Sequence, residues 1–242
     1  MIKTTEIDYQ IDGKTFTGFL ADGSNGRKVP GIVVAHEGGG MTSHPKERAK
    51  ERAKMLAELG YVAFAMDTFG EKITSREQAM ATIGALMTDL PTLRKRARTA
   101  LDIVKAQPGV DPKRTAAIGF CFGGTTVLEL ARGGADVACV VGFHSGLQTS
   151  APQDAKNIKG KVLVCLGAAD PIIPPDQREA FVKEMEAGHV DWRLELFGGA
   201  GHSFTNREVD AMGIPGFAYH ERTDKRSWRA MRDLFDEVLG PI

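Results

Sequence analysis

The chain has 242 residues, of which 42% are hydrophobic and 26% charged, with 31 Lys+Arg balanced by 31 Asp+Glu. That composition fits one globular domain over residues 1–242 and excludes the electrostatic footprint of a nucleic-acid or anionic-membrane binder. The start, MIKTTEIDYQ, lacks a signal-peptide run, no later segment is long enough for a bilayer, and three cysteines without paired spacing point to a reducing cytoplasm.

EIDYQIDGKTFTGFLAD alternates around Asp12-Gly13 and predicts a hairpin. VPGIVVAHEGGG reads as a buried strand running into a tight glycine loop. HPKERAKERAKMLAELGY predicts a helix with Pro45 in its first turn and Gly60 as its stop. YVAFAMD is a second buried strand, and residues 74–106 carry two helical patterns parted near Pro91. A strand over Arg114–Phe120 is followed by a helix in FGGTTVLELARGG. Strands at DVACVVGF and KVLVCLGA, a helix over Gln177–Ala187, the strand WRLELF and a terminal helix in SWRAMRDLFDEVL complete the order. A hairpin followed by strand–helix alternation predicts an α/β fold with a mostly parallel sheet and helices on both faces.

Gly119-Phe120-Cys121-Phe122-Gly123 has the form G-x-nucleophile-x-G between a predicted strand and a predicted helix. A sharp turn there would expose the thiol at the carboxyl edge of the sheet, with a helix N-terminus aimed at it. Asp170 follows the strand KVLVCLGAA, and His202 follows WRLELFGGAG. The order nucleophile, acid, histidine is the one this topology requires if the three are to meet. His202 would serve as general base and acid, with Asp170 holding its tautomer. The Phe122 N–H, directly after the nucleophile, and that of Gly38 in HEGGG are the expected oxyanion donors. A buried structural cysteine beside packing glycines is the bland alternative for the elbow alone.

In Glu37, GFCFGG, GAADPIIP and GHSF the chain resembles the dienelactone hydrolase family of α/β-hydrolases. The resemblance implies an α/β-hydrolase fold and a cysteine nucleophile that opens an ester or lactone, without a cofactor. It implies that Glu37 contacts the thiol and takes part in its activation. It also implies two arginines on a substrate carboxylate, matched here by Arg207 in HSFTNR and Arg76 in SREQAM. Arg76 has a second reading as the start of a helix, because Thr74 and Glu77 form a capping-box pattern. Met80 stands where the family's namesake has a phenol.

His144, ending a strand in GFHSG, is either a cleft residue or a hydrogen-bonded structural histidine. His36 and His44 flank Glu37 without the helical H-E-x-x-H spacing, so no metal is expected. The basic residues of HPKERAKERAK read as a solvated helix face. The expected partner is a small ester or lactone, anionic or neutral, and the oligomeric state stays open. A general carboxylesterase or thioesterase would use the same triad. A non-catalytic ligand-binding or redox-sensing protein on this fold is the alternative of another class.

Overall fold

The computed structural model describes residues 1–38 and 44–242, with the backbone alone at residues 44–46. Strands β1 (Lys3–Ile11) and β2 (Lys14–Asp22) form the antiparallel hairpin, with Ile11 opposite Lys14. Asp12 and Gly13 between them have φ of 52° and 77°, which suits the strand twist of a two-residue turn. The remaining strands are β3 (Val29–Ala35), β4 (Val62–Met66), β5 (Val110–Phe120), β6 (Cys139–Phe143), β7 (Lys161–Gly167) and β8 (Trp192–Phe197). Among the described residues they form one sheet in the order β1-β2-β4-β3-β5-β6-β7-β8, and from β4 to β8 every neighbouring pair is parallel. Strands β3, β4 and β6 are buried at every position, because helices cover both faces.

The helices are α1 (His44–Glu58), α2 (Arg76–Thr88), α3 (Leu90–Lys105), α4 (Phe122–Arg132), α5 (Pro175–Ala187) and α6 (Glu221–Leu239). Successive strand residues feed opposite cores. Val33 packs with Val104, Val127 and Phe181 on the face of α3, α4 and α5. Ile32 packs with Leu56, Ile118 and Phe235 on the face of α1 and α6. Arg132 pins α4 to α5 from within, donating to Glu184 at 2.7 Å, to Glu129 at 2.9 Å and to the Leu147 carbonyl at 3.0 Å.

The helical break near Pro91 falls at Asp89. Asp89 ends α2 and caps α3, its carboxylate accepting the Thr92 N–H at 3.2 Å. Pro91 sits in the first turn of α3, where its missing N–H costs little. Strand β5 starts at Val110, ahead of Arg114, because Val110 pairs with Val29. Helix α6 starts at Glu221 rather than near Ser227, through polar first turns that hide its period. Two 3₁₀ segments, Pro152–Asn157 and Val209–Met212, have no sequence signature. Among the described residues no helix is long and apolar enough to cross a membrane.

Candidate active site

Cys121 stands between β5 and α4 with φ 53° and ψ −118°, and its N–H donates to the Phe143 carbonyl at 2.9 Å. A side chain in this region of backbone space costs about 1–3 kcal/mol and persists only where surroundings enforce it. The enforcement is the crossing of the elbow over its neighbours. A Cβ at Gly119 would lie 2.0 Å from the Gly123 carbonyl oxygen, and one at Gly123 would lie 2.2 Å from that of Ala35. Only glycine fits at either place, and the turn they permit lifts the thiol out of the sheet edge.

The loops after β7 and β8 bring the other two groups to that edge. Asp170 Oδ1 accepts the Ile172 N–H at 2.8 Å, which orients the carboxylate, and Oδ2 lies 2.7 Å from His202 Nδ1. His202 Nε2 lies 3.2 Å from Cys121 Sγ. The His202 backbone is itself fixed, its N–H donating to the Gly216 carbonyl at 2.8 Å. Burial alone would pull the His202 pKa down. The charge of the Cys121 sulfur and the hydrogen bond to Asp170 outweigh it, and the net pKa is raised to about 10. An imidazolium held between sulfur and carboxylate is the form that stabilises a thiolate. Cys139 and Cys165 are fully buried inside β6 and β7, and burial pushes both thiols up, so they stay protonated.

Above the sulfur lies a cavity of about 680 Å³. Phe122, Ile83, Met80, Ile172, Met212 and Phe217 give it apolar walls, and Gly38, Arg48, Arg76, Asn206 and Glu208 also line it. Gly38 abuts the elbow: a Cβ there would lie 2.6 Å from the Phe122 Cβ. Phe122 is the first residue of α4, so its N–H has no intrahelical acceptor. The cavity thus holds a thiol with its base and two backbone segments with N–H groups to offer. Among the described residues no group of three or more His, Cys, Asp and Glu could hold a metal ion. The His44 side chain lies outside the described residues.

The family model described as the dienelactone hydrolase family matches residues 16–239. The chain belongs to the dienelactone hydrolase family. A solved protein designated m3DLH is 46% identical, with a TM-score of 0.90 over 98% of each chain. A dienelactone hydrolase-like promiscuous phosphotriesterase from metagenomic libraries is 38% identical, with a TM-score of 0.87 over 98% of each chain. A provisionally named carboxymethylenebutenolidase of Aquifex aeolicus (strain VF5) is 26% identical over 215 residues, 86% of this chain and 90% of that one. Membership and the Cys121–His202–Asp170 arrangement together make this dienelactone hydrolase family member a cysteine-nucleophile hydrolase of the ester and lactone class.

Glu37, Arg207 and His144 are placed as follows, His144 in the second of its two readings. The Glu37 carboxylate goes to Arg48, Oε2 to Nη2 at 2.7 Å, while the described partner of the Cys121 thiol is His202. The guanidinium, about one turn into α1, offers a buried carboxylate a charge-assisted hydrogen bond. Arg207 stacks over the Tyr219 ring at 5.6 Å and lines a neighbouring cleft with Trp228, not the cavity over Cys121. His144 is wholly buried beneath His202, its Nε2 2.9 Å from Thr205 Oγ1, so it is a packing residue and not a wall of the cavity. Burial and the neighbouring His202 hold His144 well below the usual imidazole range, and therefore neutral.

Arg76 does line the cavity, while also opening α2 after the Ser75 cap. Arg48 is hidden in the sequence because HPKERAKERAK looks like a solvated face. Yet Arg48 and Arg52 are one turn apart and both turn inward, Arg52 stacking on Phe120 at 5.2 Å and Trp228 at 5.5 Å. The available signal was their spacing beside the buried Ala49, Ala53 and Leu56. Asn206, Glu208, Met212 and Phe217 come from an irregular segment after His202, whose position no periodicity encodes.

Proposed function

We propose that this chain hydrolyses small esters and lactones through a covalent acyl-cysteine, with Gly38 and Phe122 supplying the oxyanion donors. The observation that carries the proposal is His202, with Sγ of Cys121 at 3.2 Å on one nitrogen and the Asp170 carboxylate at 2.7 Å on the other. The Cys121 thiolate attacks the carbonyl carbon, and the carbonyl electron pair moves to oxygen. The N–H groups of Gly38 and Phe122 receive that charge. As the tetrahedral carbon collapses, the C–O bond to the leaving group breaks and His202 delivers its proton to the departing alkoxide. Water then gives a proton to neutral His202 and its oxygen to the acyl carbon. The C–S bond breaks, releasing the carboxylic acid and restoring the thiolate pair.

Apolar walls with Arg76 among them support a substrate with an apolar body, either neutral or carrying a carboxylate. The three cysteines are all free, which supports residence in a reducing cytoplasm. A second reading, turnover of neutral phosphotriesters at the same thiol, rests on the 38% identical relative named a promiscuous phosphotriesterase. The deciding experiment is a panel of aryl esters, neutral lactones, anionic lactones and an aryl phosphotriester, run on wild type and Cys121→Ala. Turnover of an ester or lactone that vanishes in Cys121→Ala supports the first reading. Turnover of the phosphotriester alone would replace it with the second, and equal turnover by both proteins would sink both.

A further inference from the structure

We propose that His36 is a positioning residue for the oxyanion hole: its ring fixes the Glu37–Gly38 peptide plane and so aims the Gly38 N–H into the cavity. The inference rests on the oxyanion reading above and adds to it the residue that sets the donor's direction.

His36 directly follows β3 and is 1% exposed. Its Nε2 accepts the Thr68 backbone N–H at 3.1 Å, and its Nδ1 lies 2.9 Å from the Glu37 carbonyl oxygen. A nitrogen that accepts an N–H carries no proton of its own, so the ring proton is on Nδ1 and is donated to that carbonyl. The tautomer is thus set by the Thr68 side of the ring. Thr68 is in turn held by the turn after β4, where Asp67 Oδ1 accepts the N–H groups of Phe69 at 3.1 Å and Gly70 at 3.0 Å.

The peptide group is planar, and in a trans peptide its C=O and N–H point in opposite directions. There is no cis peptide among the described residues. The Glu37 carbonyl points toward the buried ring of His36, so the Gly38 N–H of the same plane points away from it. Gly38 lines the cavity over Cys121 and its backbone abuts Phe122. A second contact fixes the other donor's surroundings: Phe69 meets the His36 ring edge-on at 5.0 Å and stacks on Phe122 at 5.9 Å. Without the ring donor, the Glu37 carbonyl loses a buried partner and the peptide is free to rotate toward another one. An oxyanion hole works by holding its donors in place before charge develops, so a misdirected N–H weakens the transition state more than the bound substrate.

The test uses His36→Phe, which keeps a ring without the donor, and His36→Asn, whose amide nitrogen stands near the Nδ1 position. Each is assayed for ester kcat and KM, for inhibition by an aryl trifluoromethyl ketone, and for alkylation by iodoacetamide. The ketone adduct places an oxyanion in the hole, whereas alkylation needs only the thiol. His36→Phe should lose about 10–100-fold in kcat with KM little changed, below the ~10²–10³-fold cost of removing an oxyanion donor outright. Ketone affinity should fall in parallel while the alkylation rate holds. His36→Asn should recover most of the loss, and it alone carries the test if His36→Phe does not fold: it should then alkylate and bind the ketone as wild type does. Loss of alkylation in step with kcat, or unchanged kcat and ketone affinity in His36→Phe, would overturn the role of His36. So would an Asn variant that alkylates normally but binds ketone as poorly as the Phe variant, or, where that does not fold, about 10-fold or more below wild type. A wild-type enzyme that turns over no ester and forms no ketone adduct would instead overturn the hydrolase reading itself.

Discussion

Glu37 and Arg48 form an ion pair at 2.7 Å beside the nucleophile's cavity, and the same guanidinium reaches Glu208 at 3.3 Å. A buried carboxylate is thereby paired with a guanidinium that lines the cavity over Cys121. An unpaired negative charge there would disfavour thiolate. Arg48→Met should therefore slow alkylation of Cys121 at neutral pH by about 10-fold, the size of one pKa unit. Adding Glu37→Gln to that variant should restore the rate, and Glu37→Gln alone should raise it, since one of the two carboxylates on Arg48 is then gone. Alkylation by Arg48→Met at the wild-type rate would show that the pair does not set the charge of the thiol.

The elbow makes Cys121 the only described thiol facing the cavity, the other two being wholly buried. Cys121→Ala should lower kcat by at least about 10³-fold, because only binding and the oxyanion hole remain. Mass analysis after iodoacetamide should find one modified residue, Cys121, in the native protein.

His202 carries a pKa raised to about 10 by the Cys121 sulfur and Asp170 against its own burial. A raised value keeps the imidazolium at neutral pH and loses it as pH rises through that value. The leaving group then lacks its acid, so kcat/KM should fall on the alkaline side near pH 10. Asp170→Asn removes one of the raising contacts and should shift that limb to lower pH. A limb that stays in place in Asp170→Asn would mean another group titrates there.

Arg76 lines the cavity and Arg207 lines the cleft beside it. Arg76→Ala should lower kcat/KM for an anionic lactone about 10–100-fold more than for a neutral ester, the range of one charge-assisted hydrogen bond. Arg207→Ala should affect both substrates equally. Kinetics of the two variants on the two substrates check this, and a selective loss in Arg207→Ala would reverse the assignment.

Arg132 is 1% exposed between Glu129 and Glu184, at the end of the helix that follows the elbow. Arg132→Met leaves the buried Glu184 without its cation, while Glu129 keeps Arg94 at 2.8 Å, and should lower unfolding stability by about 3–5 kcal/mol. Urea denaturation measures it; a change under about 1 kcal/mol would mean that Glu184 finds another partner.

The sequence by itself determined the leading hairpin, the mostly parallel sheet, the elbow at Cys121 and the identity of its two partners. Those features are local: buried runs such as VPGIVVA and YVAFAMD, glycines at a turn where no Cβ fits, and an acid and a histidine each placed just past a strand. Parallel topology then brings all carboxyl ends to one edge, so Asp170 and His202 meet Cys121 without any long-range information. Only the tertiary structure decided which charged groups face the site. Arg48 and Arg207 are both basic residues beside plausible motifs, and what separates them is rotation about a helix axis and the presence of Tyr219 under one of them. The Glu37 carboxylate likewise meets the Arg48 guanidinium, which comes from another element. The direction of the Gly38 N–H depends on a histidine ring that a turn after β4 holds, 32 residues away in the chain. Partner choice of this kind is set by distances between elements, which no spacing within one element encodes.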